Sequence, residues 1–173
     1  MQRRFLSVAE LAQACSPTDI DGDLDRDRLQ TWIRRLRHWS TIGVFPAEAI
    51  RHAKAGRHRL YSADLVYLTA VLLWLSSCGI SSEVIKSISK EIQAEIPHRS
   101  FAEFWERAKQ PNQTENKYYL LIWDLNEGAE IYLERAIATP NLIQLQEEFD
   151  PSKEPTLLVS LSDVFAGIAL SGS

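Results

Sequence analysis

The sequence contains few of the groups from which enzymes and cross-linked secreted proteins build their sites. Its 173 residues include only two cysteines, Cys15 and Cys78, which do not form a Cys-x-x-Cys pair. It also lacks a glycine-rich phosphate-binding loop and a His-Glu-x-x-His zinc motif. Two cysteines in helical segments are more often reduced, buried and apolar in character than paired. We therefore expect a protein that is not an enzyme and has no cofactor and no metal site.

Long hydrophobic runs are also absent. No apolar run reaches the roughly 20 residues that a helix needs to cross a bilayer. The richest run, Leu65 to Leu75, is shorter and is typical of a buried helix. Arg3 and Arg4 are not followed by the apolar region and cleavage site of a signal peptide. These features predict a cytoplasmic protein that does not bind membranes, and its 45% of apolar residues suffice to bury a core.

The net charge of −4 argues against a nucleic-acid-binding protein only if the charge is evenly distributed. Residues 26–62 contain nine Lys and Arg against two acidic residues, a net charge of +7. Residues 63–173 contain eight Lys and Arg against sixteen acidic residues, a net charge of −8. A basic region of this kind can bind phosphates while the rest of the chain stays acidic.

The basic region begins with an amphipathic helix. At about 100° per residue, one side of that helix carries the apolar residues Leu29, Trp32, Ile33, Leu36 and Trp39. The remaining positions are polar or cationic, namely Gln30, Thr31, Arg34, Arg35, Arg37 and His38. Such a helix can pack its apolar side on a small core and present guanidinium groups to nucleic acid. The alternative is a solvated amphipathic helix without a partner.

An acidic segment precedes this helix, with aspartates alternating at positions 19, 21, 23 and 25. The pattern superficially resembles the start of an EF-hand calcium loop. It lacks the glutamate at the twelfth position, however, and Arg26 and Arg28 interrupt it. We therefore favour a role for these carboxylates at the positive N-terminal end of the helix dipole over a calcium site.

Three segments of the N-terminal half occur in an informative order. They are Leu36-Arg37-His38-Trp39-Ser40-Thr41-Ile42-Gly43-Val44-Phe45-Pro46, Gly56-Arg57-His58-Arg59-Leu60-Tyr61-Ser62-Ala63-Asp64-Leu65, and Cys78-Gly79-Ile80-Ser81 followed by Glu83, Val84, Ile85 and Lys86. They resemble, in turn, the second helix, the wing with the start of the third helix, and the turn into the fourth helix of the MerR-type winged helix-turn-helix family. The resemblance covers roughly residues 5 to 90. His38 and Trp39 stand where that family usually has two tyrosines.

The resemblance implies a mostly α winged helix-turn-helix domain over residues 1–96, which binds palindromic double-stranded DNA as a homodimer. The second helix would enter the major groove, where Arg34 and Gln30 are the best candidates to contact base edges. Arg35, Arg37 and His38 would hold phosphates. Metal-sensing members of the family use cysteines at other positions, so metal sensing is not expected here.

Residues 46–60 form the candidate wing, a hairpin or loop with clustered cations. Wings lie along the backbone or in the minor groove, so Arg57, Arg59 and Tyr61 would contact the adjacent phosphates. A basic loop without fixed structure is the alternative. The complete predicted DNA-binding set is Gln30, Thr31, Arg34, Arg35, Arg37, His38, Arg51, Lys54, Arg57, His58, Arg59 and Tyr61.

The C-terminal half has no sustained heptads and so does not continue into a long coiled coil. A short helix with Phe101, Phe104 and Trp105 precedes strands predicted over residues 117–125, 130–138 and 156–161. A short helical stretch follows Pro140, and Ser162 is predicted to cap a last helix. Residues 97–173 are therefore expected to form a small α+β unit with a short antiparallel sheet.

Small isolated sheets are marginally stable, so this unit is predicted to supply the homodimer interface through a strand edge or the last helix. The competing hypothesis is a small-molecule pocket lined by Trp105, Tyr119 and Trp123. Dimerisation is favoured because no polar or charged cluster marks the head group of an effector, which stays a further option.

The sequence thus predicts a sequence-specific DNA-binding transcriptional regulator. Two alternatives stay open. One is an architectural or excisionase-like factor that bends DNA. The other is a protein-interaction module in which the fold has lost DNA binding and the acidic C-terminal unit holds a partner.

Overall fold

Helices dominate the computed structural model, which describes residues 4–15, 26–46, 50–52, 59–110, 117–123, 130–136, 155–166 and 168. Two three-stranded antiparallel sheets complete the described part. The chain divides into one unit of residues 1–82 with 167–173 and a second of residues 83–166. This agrees with a predominantly α region joined to a small α+β unit. The division falls at Ser82, one helix before the boundary of residue 96 that we predict from the sequence.

A short strand and a capped helix open the described chain. Strand β1 is Phe5–Ser7 and helix α1 is Val8–Ala14. The Ser7 Oγ accepts the Glu10 N–H at 3.2 Å, and the Ser7 N–H donates to Glu10 Oε2 at 2.7 Å. This reciprocal pair is a capping box, as the Ser-x-x-Glu spacing predicts. The bond from the Ser7 N–H is the main reason why the pKa of the Glu10 carboxyl is lowered.

Helix α2 extends from Arg26 to Ile42 and buries the predicted apolar side. Trp32, Ile33, Leu36 and Trp39 are buried and Leu29 is half-buried. The helix ends at Gly43, whose φ of 77° places it in the left-handed region that other residues avoid. The Val44 N–H then donates to the Trp39 carbonyl at 3.0 Å, which completes a Schellman motif.

Helix α3, Leu65–Ser77, is the most deeply buried helix of the first unit, as its continuous apolar run predicts. The sequence also predicts Ser62 as the N-cap of this helix, but Asp64 occupies the cap position, without a side-chain capping bond. The reason is that Ser62 belongs to a strand and pairs with Phe5. The Ser62 Oγ donates to Asp64 Oδ2 at 3.0 Å and still accepts the Asp64 N–H at 3.4 Å.

The sheet of the first unit contains strand β1, which we do not predict from the sequence. Strand β2, Ile50–His52, and strand β1 both pair with strand β3, Arg59–Ser62, in the order β1-β3-β2. Both pairings are antiparallel, and Tyr61 lies opposite Leu6 on one side and Ile50 on the other. The candidate wing therefore has paired strands on both sides of residues 53–58, which lie outside the described residues.

The second unit contains three helices and three strands in its described part. They are α4 (Ser82–Glu95, whose first residue belongs to the first unit), α5 (Arg99–Ala108), β4 (Lys117–Trp123), β5 (Glu130–Ala136), β6 (Pro155–Ser160) and α6 (Leu161–Ala166). The sheet order is β5-β4-β6, and both pairings are antiparallel. The predicted strands are confirmed with slightly different ends. The helical stretch predicted after Pro140 lies outside the described residues.

The last helix begins one residue earlier than its predicted cap. Helix α6 starts at Leu161, and Ser162 lies inside it. The Ser162 Oγ accepts the Tyr118 N–H at 2.9 Å, a buried bond that ties the helix to strand β4. Ser160 takes the capping role instead, because its Oγ accepts the Asp163 N–H at 3.3 Å.

Strand β4 lies at the centre of the second unit, with both of its faces buried. On one face, the Tyr118 and Phe104 rings form a T-shaped pair at a centroid distance of 4.9 Å. Trp105 of the same helix meets Phe165 of α6 at 5.1 Å. Helices α5 and α6 therefore cover this face of the sheet.

The opposite face of β4 carries Tyr119 and Leu121, which pack with Leu158 of strand β6. Successive side chains of a strand point to opposite faces, so Tyr119 lies on the other side of the sheet from Trp105. The hypothesis that Trp105, Tyr119 and Trp123 line one pocket is therefore wrong for Trp105 and Tyr119, which lie on opposite faces of the sheet. The side chain of Trp123 lies outside the described residues.

The two cysteines are free and differ in exposure. Cys15 is buried, its Sγ lies 3.3 Å from the Val66 carbonyl oxygen, and burial raises the pKa of its thiol. Cys78 is exposed because it caps the end of α3, so the expectation that both are buried is wrong for Cys78. In the described part of the chain, no helix has the length and apolar character required to cross a membrane.

Candidate nucleic-acid interface

The exposed side of α2 carries an ordered row of polar side chains. Gln30, Arg34, Arg37 and Thr41 follow one another at spacings of four, three and four residues, and all four are exposed. Residues three and four apart are neighbours on a helix surface. At a rise of 1.5 Å per residue the row is about 16 Å long. We call these four residues the polar stripe.

A second row lies beside the polar stripe and contains the other predicted helix contacts. Thr31 and His38 are exposed, whereas Arg35 is half-buried. The Thr31 Oγ1 donates its proton to the Asp27 carbonyl at 2.9 Å. A hydroxyl whose proton is used in this way can only accept, and phosphate oxygens also only accept. In this rotamer Thr31 therefore does not fit a phosphate contact.

The arginines of both rows keep their charge available. No ion pair to a described carboxylate involves Arg34, Arg35 or Arg37. Arg28, at the start of the helix, differs because its guanidinium lies over the Trp32 ring, 4.9 Å from the centroid. That contact holds Arg28 against the core, so the three later arginines are better placed to bind an anion.

Arg59 extends the polar stripe from the helix to the sheet. Its Nη1 donates to the Thr41 Oγ1 at 3.3 Å, and the Thr41 hydroxyl donates in turn to the Arg37 carbonyl at 3.1 Å. The bond to Thr41 uses one of the five N–H donors of the guanidinium. Arg59 is thus the described link between helix α2 and strand β3 on the exposed side.

Tyr61 is placed differently from its predicted role as a phosphate contact. The residue is only 1% exposed, and its hydroxyl lies 2.7 Å from the Ser40 Oγ. Because the single Ser40 proton goes to the Leu36 carbonyl at 2.7 Å, the Tyr61 hydroxyl must be the donor. A buried hydroxyl that already donates cannot reach a phosphate outside the domain. We therefore correct the role of Tyr61 from a contact residue to a positioning residue.

Three aromatic rings stabilise this junction. Phe45 forms T-shaped pairs with Trp39 and Tyr61, at centroid distances of 6.3 and 6.0 Å and interplanar angles of 67° and 77°. Such edge-to-face pairs are favourable beyond the area they bury. The chain that leaves α2 is therefore packed between the helix and strand β3, and the two elements that carry the cations are fixed relative to each other.

No local sequence signal identifies the role of Tyr61, because strand alternation places it on the same face of β3 as the half-buried Arg59. Arg59 and Tyr61 are two residues apart on β3 and so share a face, which is the face that contacts α2 at Thr41 and Ser40. Their different exposure follows from position, because Tyr61 pairs with β1 and β2 across the middle of the sheet.

Several predicted contact residues are not described. Lys54, Arg57 and His58 lie outside the described residues, and for Arg51 only the backbone is described, within β2. The acidic residues 19–25 of the disfavoured calcium loop also lie outside. Among the residues that the structure does describe, no group of three or more His, Cys, Asp or Glu side chains could hold a metal ion.

Comparison with known proteins identifies no relative of this chain. No family model matches the sequence, and neither the curated proteins nor the solved structures contain a significant match. The functional interpretation therefore depends on the arrangement of α2 and β3, together with the resemblance of the three sequence segments.

We expect Tyr61→Phe to lower the free energy of unfolding by about 0.5–1.5 kcal/mol, the net value of one hydrogen bond. The effect stays small because the Ser40 hydroxyl keeps its bond to Leu36. Urea unfolding of the wild type and the variant measures this change in the free energy of unfolding. Ser40→Ala should cost more, because it leaves the buried Tyr61 hydroxyl without its acceptor. If the double variant is no less stable than Ser40→Ala, the coupling is confirmed; additive losses would contradict it.

Proposed function

We propose that the chain is a cytoplasmic, sequence-specific DNA-binding transcriptional regulator that acts as a homodimer. Helix α2 enters the major groove of double-stranded DNA, and strands β2 and β3 form a wing that lies on the backbone. Helices α1 and α2 are the two helices of a winged helix-turn-helix domain of the MerR type.

The observation that carries this proposal is the continuity of the polar stripe with Arg59. A major groove about 12 Å wide admits a helix, and the exposed side of α2 offers Arg34 and Arg37 without described acidic partners. The bond from Arg59 to Thr41 places a further cation beside the end of the helix. A helix in the groove with a cation beside it on the flanking strand is the arrangement that a winged DNA-binding domain requires.

The charge distribution also supports DNA binding through the region that contains α2. Residues 26–62 carry a net charge of +7, whereas residues 63–173 carry −8. The field of a polyanion attracts the first region and repels the second. DNA therefore selects the face that carries α2, even though the whole chain is acidic.

We assign the homodimer contact to the second unit. Within its described sheet, β5 and β6 are edge strands, and each pairs with β4 on one side. Edge strands offer unpaired backbone groups to another chain. A twofold dimer would place two copies of α2 on two half-sites, which matches the palindromic operator that the resemblance implies.

We expect the 173-residue chain to bind duplex DNA in a gel-shift assay and to select a palindromic motif from a random duplex library. A double variant, Arg34→Ala with Arg37→Ala, should lose most of this binding, because both exposed guanidinium groups of the polar stripe are removed. Arg99→Ala is the matched control, since Arg99 is an exposed arginine of α5 whose partner is Glu103. Binding that is absent, or equally reduced by the control, would overturn the proposal.

A further inference from the structure

We infer that each operator half-site contains a guanine read by Arg34 and an adenine read by Gln30, about two base pairs apart. This inference rests on the proposed function and names the DNA that the polar stripe recognises. Its basis is the chemistry and the spacing of two exposed side chains on one helix face.

Arg34 has the donors that guanine requires. In the major groove guanine presents two acceptors, O6 and N7, and a guanidinium can donate to both at once. Arg34 is exposed and forms no ion pair with a described carboxylate. Its planar group is therefore available for two parallel hydrogen bonds, which no other base accepts in the same geometry.

Gln30 has the complementary pair of groups for adenine. Adenine presents the N7 acceptor and the N6 amino donor, and a glutamine amide can donate to the first and accept from the second. Gln30 is exposed, and no side-chain bond holds its amide against the described residues. A neutral amide adds no charge for phosphate binding, so the position of Gln30 one helical turn before Arg34 favours a role in base contact.

The spacing of the two residues determines how far apart the bases lie. Gln30 and Arg34 are four residues apart, which is about 6 Å along the helix axis. Base pairs in B-form DNA are about 3.4 Å apart. The two contacts therefore fall about two base pairs from each other when the helix lies along the groove.

Among the other members of the polar stripe, Arg37 is better placed for a phosphate, and Thr41 for neither kind of contact. In a helix-turn-helix protein the N-terminal part of the recognition helix contacts bases. Gln30 lies in the first half of α2 and Arg34 at its centre, whereas Arg37 and Thr41 lie in the second half, beside Arg59. The Thr41 hydroxyl is already engaged by Arg59 and by the Arg37 carbonyl, so it contributes no free donor.

The experiment is a selection from random duplex DNA with the wild-type 173-residue chain and four variants. These are Arg34→Ala, Arg34→Gln, Gln30→Ala and the control Arg99→Ala. We expect the wild type and the control to select a guanine and an adenine two positions apart. Arg34→Ala should lose the guanine preference by about 5- to 150-fold, the discrimination of one bidentate pair, and Gln30→Ala should lose the adenine preference.

Arg34→Gln is the most informative variant, because it should change the preferred base and not only remove a preference. A glutamine at this position should convert the guanine preference into an adenine preference, because the amide matches N6 and N7. A wild-type motif that lacks either base, or one that persists unchanged in the Arg34 and Gln30 variants, overturns the inference and leaves the proposed function standing. The absence of any DNA binding by the wild type overturns both.

Discussion

Raising the salt concentration from 50 to 200 mM is expected to weaken operator binding by about 10³- to 10⁵-fold. The proposed phosphate contacts are Arg35, Arg37, Arg57 and Arg59, so a homodimer would neutralise about eight phosphates. Each neutralised phosphate releases condensed counterions, and the logarithm of the binding constant falls with slope of about −0.9 per contact. This is a large effect for a chain whose overall net charge is −4.

Fluorescence anisotropy with a labelled operator at four or five salt concentrations measures this slope. Arg37→Ala should reduce its magnitude by about 0.9 for each protomer, because one phosphate contact is lost. Arg99→Ala removes the same charge from the second unit and should leave the slope unchanged. A slope near zero, or one that Arg37→Ala and Arg99→Ala change equally, would contradict the proposed phosphate contacts.

Local sequence patterns predicted the elements that depend on local interactions. The apolar side of α2 has a helical period, and the structure buries it as predicted. The capping box at Ser7 and the glycines after α2 and α3 also depend on groups within six residues of each other. In these cases the residue type and its spacing suffice, because the chain brings the groups together without any tertiary contact.

Contacts between distant segments could not be predicted in the same way. The Ser40–Tyr61 bond joins residues 21 positions apart, and the Arg59–Thr41 bond joins residues 18 apart. Strand β1 has only three residues, too few for a pattern, and it exists because β3 offers it a partner. Tyr61 was therefore predicted as an exposed contact, although pairing on both sides buries it.

In the second unit, the sequence likewise could not predict which elements pack on each face of strand β4. Alternation along β4 predicts a strand with Tyr118 on one face and Tyr119 on the other, but it does not state which face helix α5 covers. The contact of Tyr118 with Phe104 shows that α5 covers the first face, and Tyr119 packs with Leu121 and Leu158 on the other. A pocket inferred from aromatic composition alone combined residues that the sheet holds apart.

Trp39→Ala is expected to lower the free energy of unfolding by about 3–5 kcal/mol, as for other large buried aromatic residues. Trp39 is fully buried in α2 and contacts Phe45, so its loss leaves a cavity under the helix that carries the polar stripe. Globular proteins are stable by only about 5–15 kcal/mol, so the variant should be partly or largely unfolded at moderate urea concentrations. Urea unfolding followed by circular dichroism measures the loss, and operator affinity should fall with the folded fraction.

Trp39→Phe is the matched control, and its expected outcome depends on the indole nitrogen. Within the described structure the buried Trp39 Nε1–H has no hydrogen-bond partner. A buried donor without an acceptor costs about 1–3 kcal/mol, and phenylalanine removes that cost while it loses part of the ring volume. The two effects oppose each other, so Trp39→Phe should change the stability by about 1 kcal/mol or less. A loss as large as that of Trp39→Ala would instead mean that the full indole, with its N–H bonded in solution, holds helix α2 in place.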